Sequence, residues 1–112
     1  MVALIFHLGD EKKMKRIKRI GAIGDIHAED KLLYSAVEFL QNKNVDAIVS
    51  VGDIVDGSGN ANACCEFLET EQLLAVAGNH ESWLLDNIFR EAPNSTQLSE
   101  LSDSAHAFLK SV

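Results

Sequence analysis

Three short apolar runs punctuate the chain: Ile20 to Ile23, Ala47 to Val51, and Leu73 to Ala77. Each is nearly continuously apolar rather than alternating, the pattern of a parallel strand buried on both faces. Stretches of helical periodicity lie between them. Asp30 to Lys43 places Leu32, Leu33, Ala36, Val37 and Leu40 on one stripe, and Asn60 to Thr70 repeats the pattern more weakly through Ala61, Cys64, Cys65 and Leu68. A third helix is predicted over Ser82 to Phe89, broken by the lone proline, Pro93, and a final amphipathic segment follows with Leu98, Leu101, Ala105, Phe108 and Leu109. The predicted fold class is α/β, with parallel βαβαβ order.

What leaves the end of each run is polar and distinctive. The loops are Gly24 to Glu29 (GDIHAE), Gly52 to Gly57 (GDIVDG) and Gly78 to Glu81 (GNHE). In a parallel sheet, loops at the carboxyl ends of the strands open on one edge, where α/β folds keep their ligands. Asp25, His27, Asp53, Asp56, Asn79 and His80 are therefore expected to converge. Short oxygen-bearing side chains together with imidazole suit borderline divalent metals such as Mn, Fe or Zn. Carboxylates can also bridge two cations, the arrangement that clamps attacking and leaving oxygens in phosphoryl transfer. The glycine opening each loop is expected to allow a backbone course that a Cβ would forbid. Turn and capping chemistry is the competing explanation for these Asp and Asn residues, but it must account for all three loops at once.

The series Asp25-x-His27, Gly52-Asp53-x-x-Asp56 and Gly78-Asn79-His80-Glu81 resembles the calcineurin-like metallophosphoesterase superfamily, over roughly residues 18 to 85. The resemblance implies two divalent metal ions: Asp25 and His27 on the first, Asp53 bridging both, and Asn79 on the second. It implies that His80 stands beside the leaving oxygen as general acid or stabiliser, with Asp56 orienting it. The implied reaction is hydrolysis of a phosphate ester by metal-activated hydroxide, without a covalent phosphoenzyme. Monoesters, diesters and nucleoside polyphosphates are all compatible substrates.

The departures narrow the likeness. Phosphoprotein phosphatases carry glycine where this chain has Ala28, and arginines where it has Gly57 and Ala77. Those arginines grip the substrate phosphate with a fork that no small residue replaces, so a bacterial-type phosphoesterase is the closer likeness. Superfamily members resemble a two-sheet sandwich whose second half adds a histidine and a GHxH motif. After Glu81 the sole histidine is His106, in Ser104-Ala105-His106-Ala107. Four side chains are also few for two cations that each take about four to six ligands. The chain is thus expected to be the N-terminal half of a metallophosphoesterase-type β-sandwich flanked by helices. The expected partners are a phosphate-ester substrate and either a second copy or a complementary C-terminal half.

Composition changes the picture little. At 112 residues the chain is one small domain at most, 46% of it hydrophobic. Its formal charge of −7 argues against a nucleic-acid surface. No run approaches the roughly 18 apolar residues of a membrane span, and the charges following Met1 to Leu8 make that stretch a poor signal peptide, so a cytoplasmic location is expected. The basic run Lys12 to Arg19 is read as a solvated flank. Met14 opens a natural start, so Met1 to Lys13 is expected to lie outside the fold. Residues 1–17 are assigned to an extension and 18–112 to the partial domain. Adjacent Cys64 and Cys65 suit core packing better than a disulfide or zinc site. His7 and His106 have no motif context. Two readings remain: a metal-dependent phosphoesterase, incomplete as it stands, or a non-catalytic remnant that binds a metal or a partner.

Overall fold

The computed structural model describes residues 1–7, 17–88 and 90–112. The basic tract from Lys12 to Arg16, Met14 within it, and Phe89 lie outside the described residues. Four strands form one sheet in the order β1-β2-β3-β4: β1 Val2–His7, β2 Arg19–Gly24, β3 Ala47–Ser50 and β4 Leu74–Ala75. The three predicted strands are parallel neighbours, joined by α1 (Asp30–Asn42) and α2 (Ala61–Thr70), so the βαβαβ order holds. After β4 come α3 (Asn79–Leu85), a short 3-10 turn at Leu98–Glu100, and α4 (Asp103–Ser111). No helix among the described residues is long and apolar enough to cross a membrane.

The strand at the amino end is a correction. Val2–His7 does not lie outside the fold; it pairs antiparallel along the whole of β2, from Val2 opposite Gly24 to His7 opposite Arg19. Its alternation of apolar residues is weak, and the parallel strands that follow gave no local reason to expect an antiparallel neighbour.

One face of the sheet carries the core. Helix α1 lays Leu33, Val37 and Leu40 on it, α2 adds Cys64, Cys65 and Leu68, and Ile23 and Ile48 rise from the strands. Helix α4 packs on α2 and contributes Ala105, Phe108 and Leu109. Asn62 of α2 stitches the carboxyl segment down, donating to the Glu100 carbonyl at 2.8 Å and accepting from the Ser102 amide at 2.9 Å. The other face has no helix among the described residues, yet it is equally apolar. Register places Leu4, Ala22, Val49 and Leu74 in one row across all four strands, with Phe6, Ile20 and Ala47 in the next. Leu74 is 62% exposed and Leu4 50%. Contiguous apolar patches of this kind mark interaction surfaces or aggregation liabilities.

Helix ends follow backbone chemistry rather than proline. Helix α3 stops at Leu85 because Asn87 turns left-handed (φ 55°), its amide donating to the Leu84 carbonyl and the Ile88 amide to that of Trp83. This is a Schellman closure with asparagine in the position glycine usually takes, and Pro93 lies well beyond it.

Burial also settles the cysteines. It pushes both thiols up to about 12, so thiolate is scarce near neutral pH. Both thiols are expected to resist iodoacetamide at pH 8 until denaturant is added. Labelling of either at the rate of a free thiol in the native chain would contradict this packing.

Candidate metal and phosphoryl-transfer site

Among the described residues eight non-glycine ones have positive φ, and they fall into two groups. Asn44, Gln72 and Asn87 follow the ends of α1, α2 and α3. The other five, Asp25, His27, Ala28, Asp53 and Asp56, all lie in the loops after β2 and β3. Each such residue costs on the order of 1–3 kcal/mol, and the cost persists where surrounding structure fixes it. The fixing contacts are clear. The first loop lies on the second, with the His27 amide donating to the Asp53 carbonyl (2.9 Å) and the Ala28 amide to that of Ile54 (2.7 Å).

Glu81 fastens the second loop to the third. Although fully buried, its carboxyl oxygens accept from the amides of Asp53 (2.7 Å), Ile54 (2.7 Å), Val55 (3.0 Å) and Gly78 (2.8 Å). The Gly78 bond is the half of a capping box in which the fourth residue reaches back to the cap. The glycine expectation needs refining here. Gly52 has a left-handed φ of 98°, but Gly78 does not; a Cβ there would instead run into the Asp53 carboxylate. Gly57 lies against the His27 carbonyl, leaving no room for any side chain, the phosphate-gripping arginine of phosphoprotein phosphatases included.

Within this frame His27, Asp53 and His80 each offer a ligand atom, and those atoms lie within 4.8 Å of one another. His27 Nδ1 faces the carbonyl oxygens of Val55 and Asp56, each at 3.1 Å. Both are acceptors, so Nδ1 carries a proton, and in the neutral ring Nε2 is the free nitrogen, as metal-binding histidines are commonly held. That Nε2 is 4.0 Å from Asp25 Oδ1. The donor set therefore fits a borderline divalent cation. Asp53 Oδ1 also accepts from the His80 amide at 3.3 Å. Asp25 is more open than the rest, with its side chain 58% exposed, and Asn79 is an exposed residue at the start of α3. His106 is exposed on α4.

His80 has a separate hydrogen-bond system. Its Nδ1 lies 2.9 Å from Asp56 Oδ2, and its ring is edge-on to His27 and tilted against Trp83, with centroids 4.7 and 4.9 Å away. Asp56 is only 6% exposed and is gripped from the far end of the chain. Its Oδ1 accepts from the Thr96 amide (2.7 Å) and Arg90 Nη2 (3.0 Å), while Arg90 Nε makes an ion-pair contact with Oδ2 at 2.8 Å, off hydrogen-bond geometry. A cleft of about 500 Å³ opens over these groups, bounded by His27, His80, Trp83, Arg90 and Pro93.

Sequence reasoning gave Glu81 no role beyond its motif and missed Arg90 and Thr96. One signal for Arg90 was present: it is the only lysine or arginine between Lys43 and Lys110, and an isolated cation in so acidic a stretch needs a partner.

Comparison with known proteins gives the chain a family. A family model described as calcineurin-like phosphoesterase matches residues 18–109. An uncharacterized protein of Methanocaldococcus jannaschii is 33% identical over 66 residues, 59% of this chain and 27% of that protein. Serine/threonine-protein phosphatase 1 of Salmonella typhimurium is 33% identical over 73 residues, 64% of this chain and 34% of the phosphatase. Serine/threonine-protein phosphatase 2 of Escherichia coli is 33% identical over 70 residues, covering 62% and 32%. The chain thus spans about a third of the length of these relatives. A crystal structure of a metallophosphoesterase from Sphaerobacter thermophilus superposes with a TM-score of 0.65 at 24% identity, covering 87% of this chain and 42% of that one, a likeness of fold.

Proposed function

The chain belongs to the calcineurin-like phosphoesterase family, and from that premise we propose that it carries the metal-binding half of a phosphate-ester hydrolase. The observation that carries this reading is the meeting of ligand atoms from His27, Asp53 and His80 within 4.8 Å of one another, His27 and Asp53 on loops with left-handed residues and His80 in the first turn of α3. Asp25, His27, Asp53 and Asn79 would hold two divalent cations, of Mn, Fe or Zn type, with Asp53 between them. Bound there, the cations would supply Lewis-acid polarisation of the phosphoryl oxygens and a nucleophile at neutral pH.

The chain's own side chains do the remaining work. His27 is held in one tautomer by two carbonyls, so its Nε2 is ready as a ligand. His80 is aimed by Asp56, which fixes the ring while the opposite nitrogen can give a proton to the departing oxygen. Trp83 and Pro93 wall the cleft in which that leaving group would sit.

His80→Asn tests the assignment. It should leave cation affinity within a few-fold of wild type, read by calorimetry with Mn²⁺. Turnover of an aryl phosphate should fall by about 10²–10⁴-fold, less for good leaving groups than for poor ones. A collapse of metal affinity would instead make His80 a ligand, which its place in the three-residue cluster allows.

A second reading, a metal- or partner-binding module without catalysis, is favoured by the bare apolar face beside so few ligands. We propose that this face takes a second layer, either a complementary half or another copy of the chain. Sedimentation of the 112-residue chain should show dimers or larger species. A stable monomer that hydrolyses phosphate esters would show that the helical layer alone suffices.

A further inference from the structure

We propose that Arg90 is a positioning residue for the reaction proposed above, acting on His80 through Asp56. An aspartate carboxyl turns easily about its last bond, a broad two-fold torsion, so a histidine resting on an unrestrained carboxylate would inherit its swing. Here that freedom is removed. Arg90 meets both oxygens of Asp56, Nη2 at 3.0 Å from Oδ1 and Nε at 2.8 Å from Oδ2, and Oδ2 is the oxygen that holds His80 Nδ1 at 2.9 Å.

The guanidinium is itself fixed. Nη2 donates to the Thr96 carbonyl at 2.7 Å and Nη1 to that of Ile88 at 3.0 Å. Thr96 closes the loop by donating its amide to Asp56 Oδ1 (2.7 Å), while its hydroxyl accepts from the Asp56 amide (3.0 Å). The side chains of Arg90 and Asp56 are 11% and 6% exposed, so water competes little for these bonds. A chain of contacts thus runs from the segment after α3 through Asp56 to His80, and its Arg90 link reaches both carboxylate oxygens, a two-pronged approach that lysine cannot make. With most of its donors committed in this way, Arg90 is poorly placed to take over the phosphate grip that Gly57 and Ala77 lack.

The inference rests on the functional reading for its consequence but not for its geometry, and the experiment separates the two. In the metal-free chain, proton NMR should show a protected, downfield His80 ring N–H, assigned by its absence in His80→Asn. In Arg90→Gln the protection of that proton should drop at least tenfold, while the amides of Asp53 and Ile54, held by Glu81, stay protected and report an intact fold. Arg90→Lys keeps the charge but not the fork, and should behave in the same way; it decides the matter if Arg90→Gln unfolds. Free guanidinium should restore part of the protection in Arg90→Ala. In hydrolysis assays kcat should fall about 10–100-fold, by analogy with the partners that orient metal-binding histidines, with KM little changed. Undiminished ring N–H protection in both folded variants would overturn the proposal. So would a raised KM with unaltered kcat, which would make Arg90 a substrate-binding group. Loss of ring protection with kcat and KM both unchanged, in a preparation that hydrolyses the ester, would uphold the positioning geometry and sink the catalytic role given to His80.

Discussion

Asp53→Asn is expected to cost about a hundredfold or more in divalent-cation affinity, with a matching loss of hydrolysis. Changes to residues that merely support a metal ligand typically cost 10–100-fold, and Asp53 is assigned as a ligand shared by two cations. The substitution is close to a pure change of charge. Asparagine tolerates the left-handed backbone at this position, where φ is 55°. Its side-chain oxygen can still accept from the His80 amide, as Oδ1 does now at 3.3 Å. The fold should therefore survive with an unchanged unfolding midpoint. Metal affinity by calorimetry and turnover with excess Mn²⁺ are the two readouts. Wild-type values of both in a folded Asp53→Asn chain would dismantle the site proposed for this edge of the sheet.

Glu81→Gln should have the largest effect on stability of any change within the motifs. Both carboxyl oxygens now accept two amides each. An amide group presents one oxygen and one NH2, and whichever way it is turned the NH2 faces two donors. Two backbone amides, buried (Ile54 and Val55) or partly buried (Asp53 and Gly78), then lose their partner, at up to about 1–3 kcal/mol apiece, or about 2–6 kcal/mol together. Against the roughly 5–17 kcal/mol typical of a chain this long, the loss is large. Urea unfolding followed by circular dichroism measures it directly. A loss below about 1 kcal/mol would mean that solvent or a shift of the loops satisfies those amides, and that Glu81 does not hold the second and third loops together.

The parts of the fold that were legible from sequence are those with local causes. Strands β2 and β3 show as buried apolar runs, α1 shows through the spacing of Leu33, Val37 and Leu40, and the chemistry-bearing loops follow from where those runs end. What escaped notice depends on partners distant in sequence. Val2–His7 becomes a strand only because β2 offers an open edge. Glu81 is one acidic residue among many until four amides converge on it. The Arg90–Asp56 pair spans 34 residues that no periodicity links. Asn87 ends α3 by turning left-handed, a choice an asparagine makes only when the following residues can close the turn. For the candidate site, sequence motifs brought the right loops to one edge, while the bracing of those loops became visible only in three dimensions.

Trp83 gives the site an optical property. It is the single tryptophan of the chain, it is 36% exposed at the mouth of the cleft, and its ring lies 4.9 Å from that of His80. All indole emission from this protein therefore originates beside the candidate site, next to an imidazole whose contacts would change if a cation or phosphate bound there. Occupancy can be followed by steady-state fluorescence on the unlabelled chain, without a chromogenic substrate and before any turnover is detected.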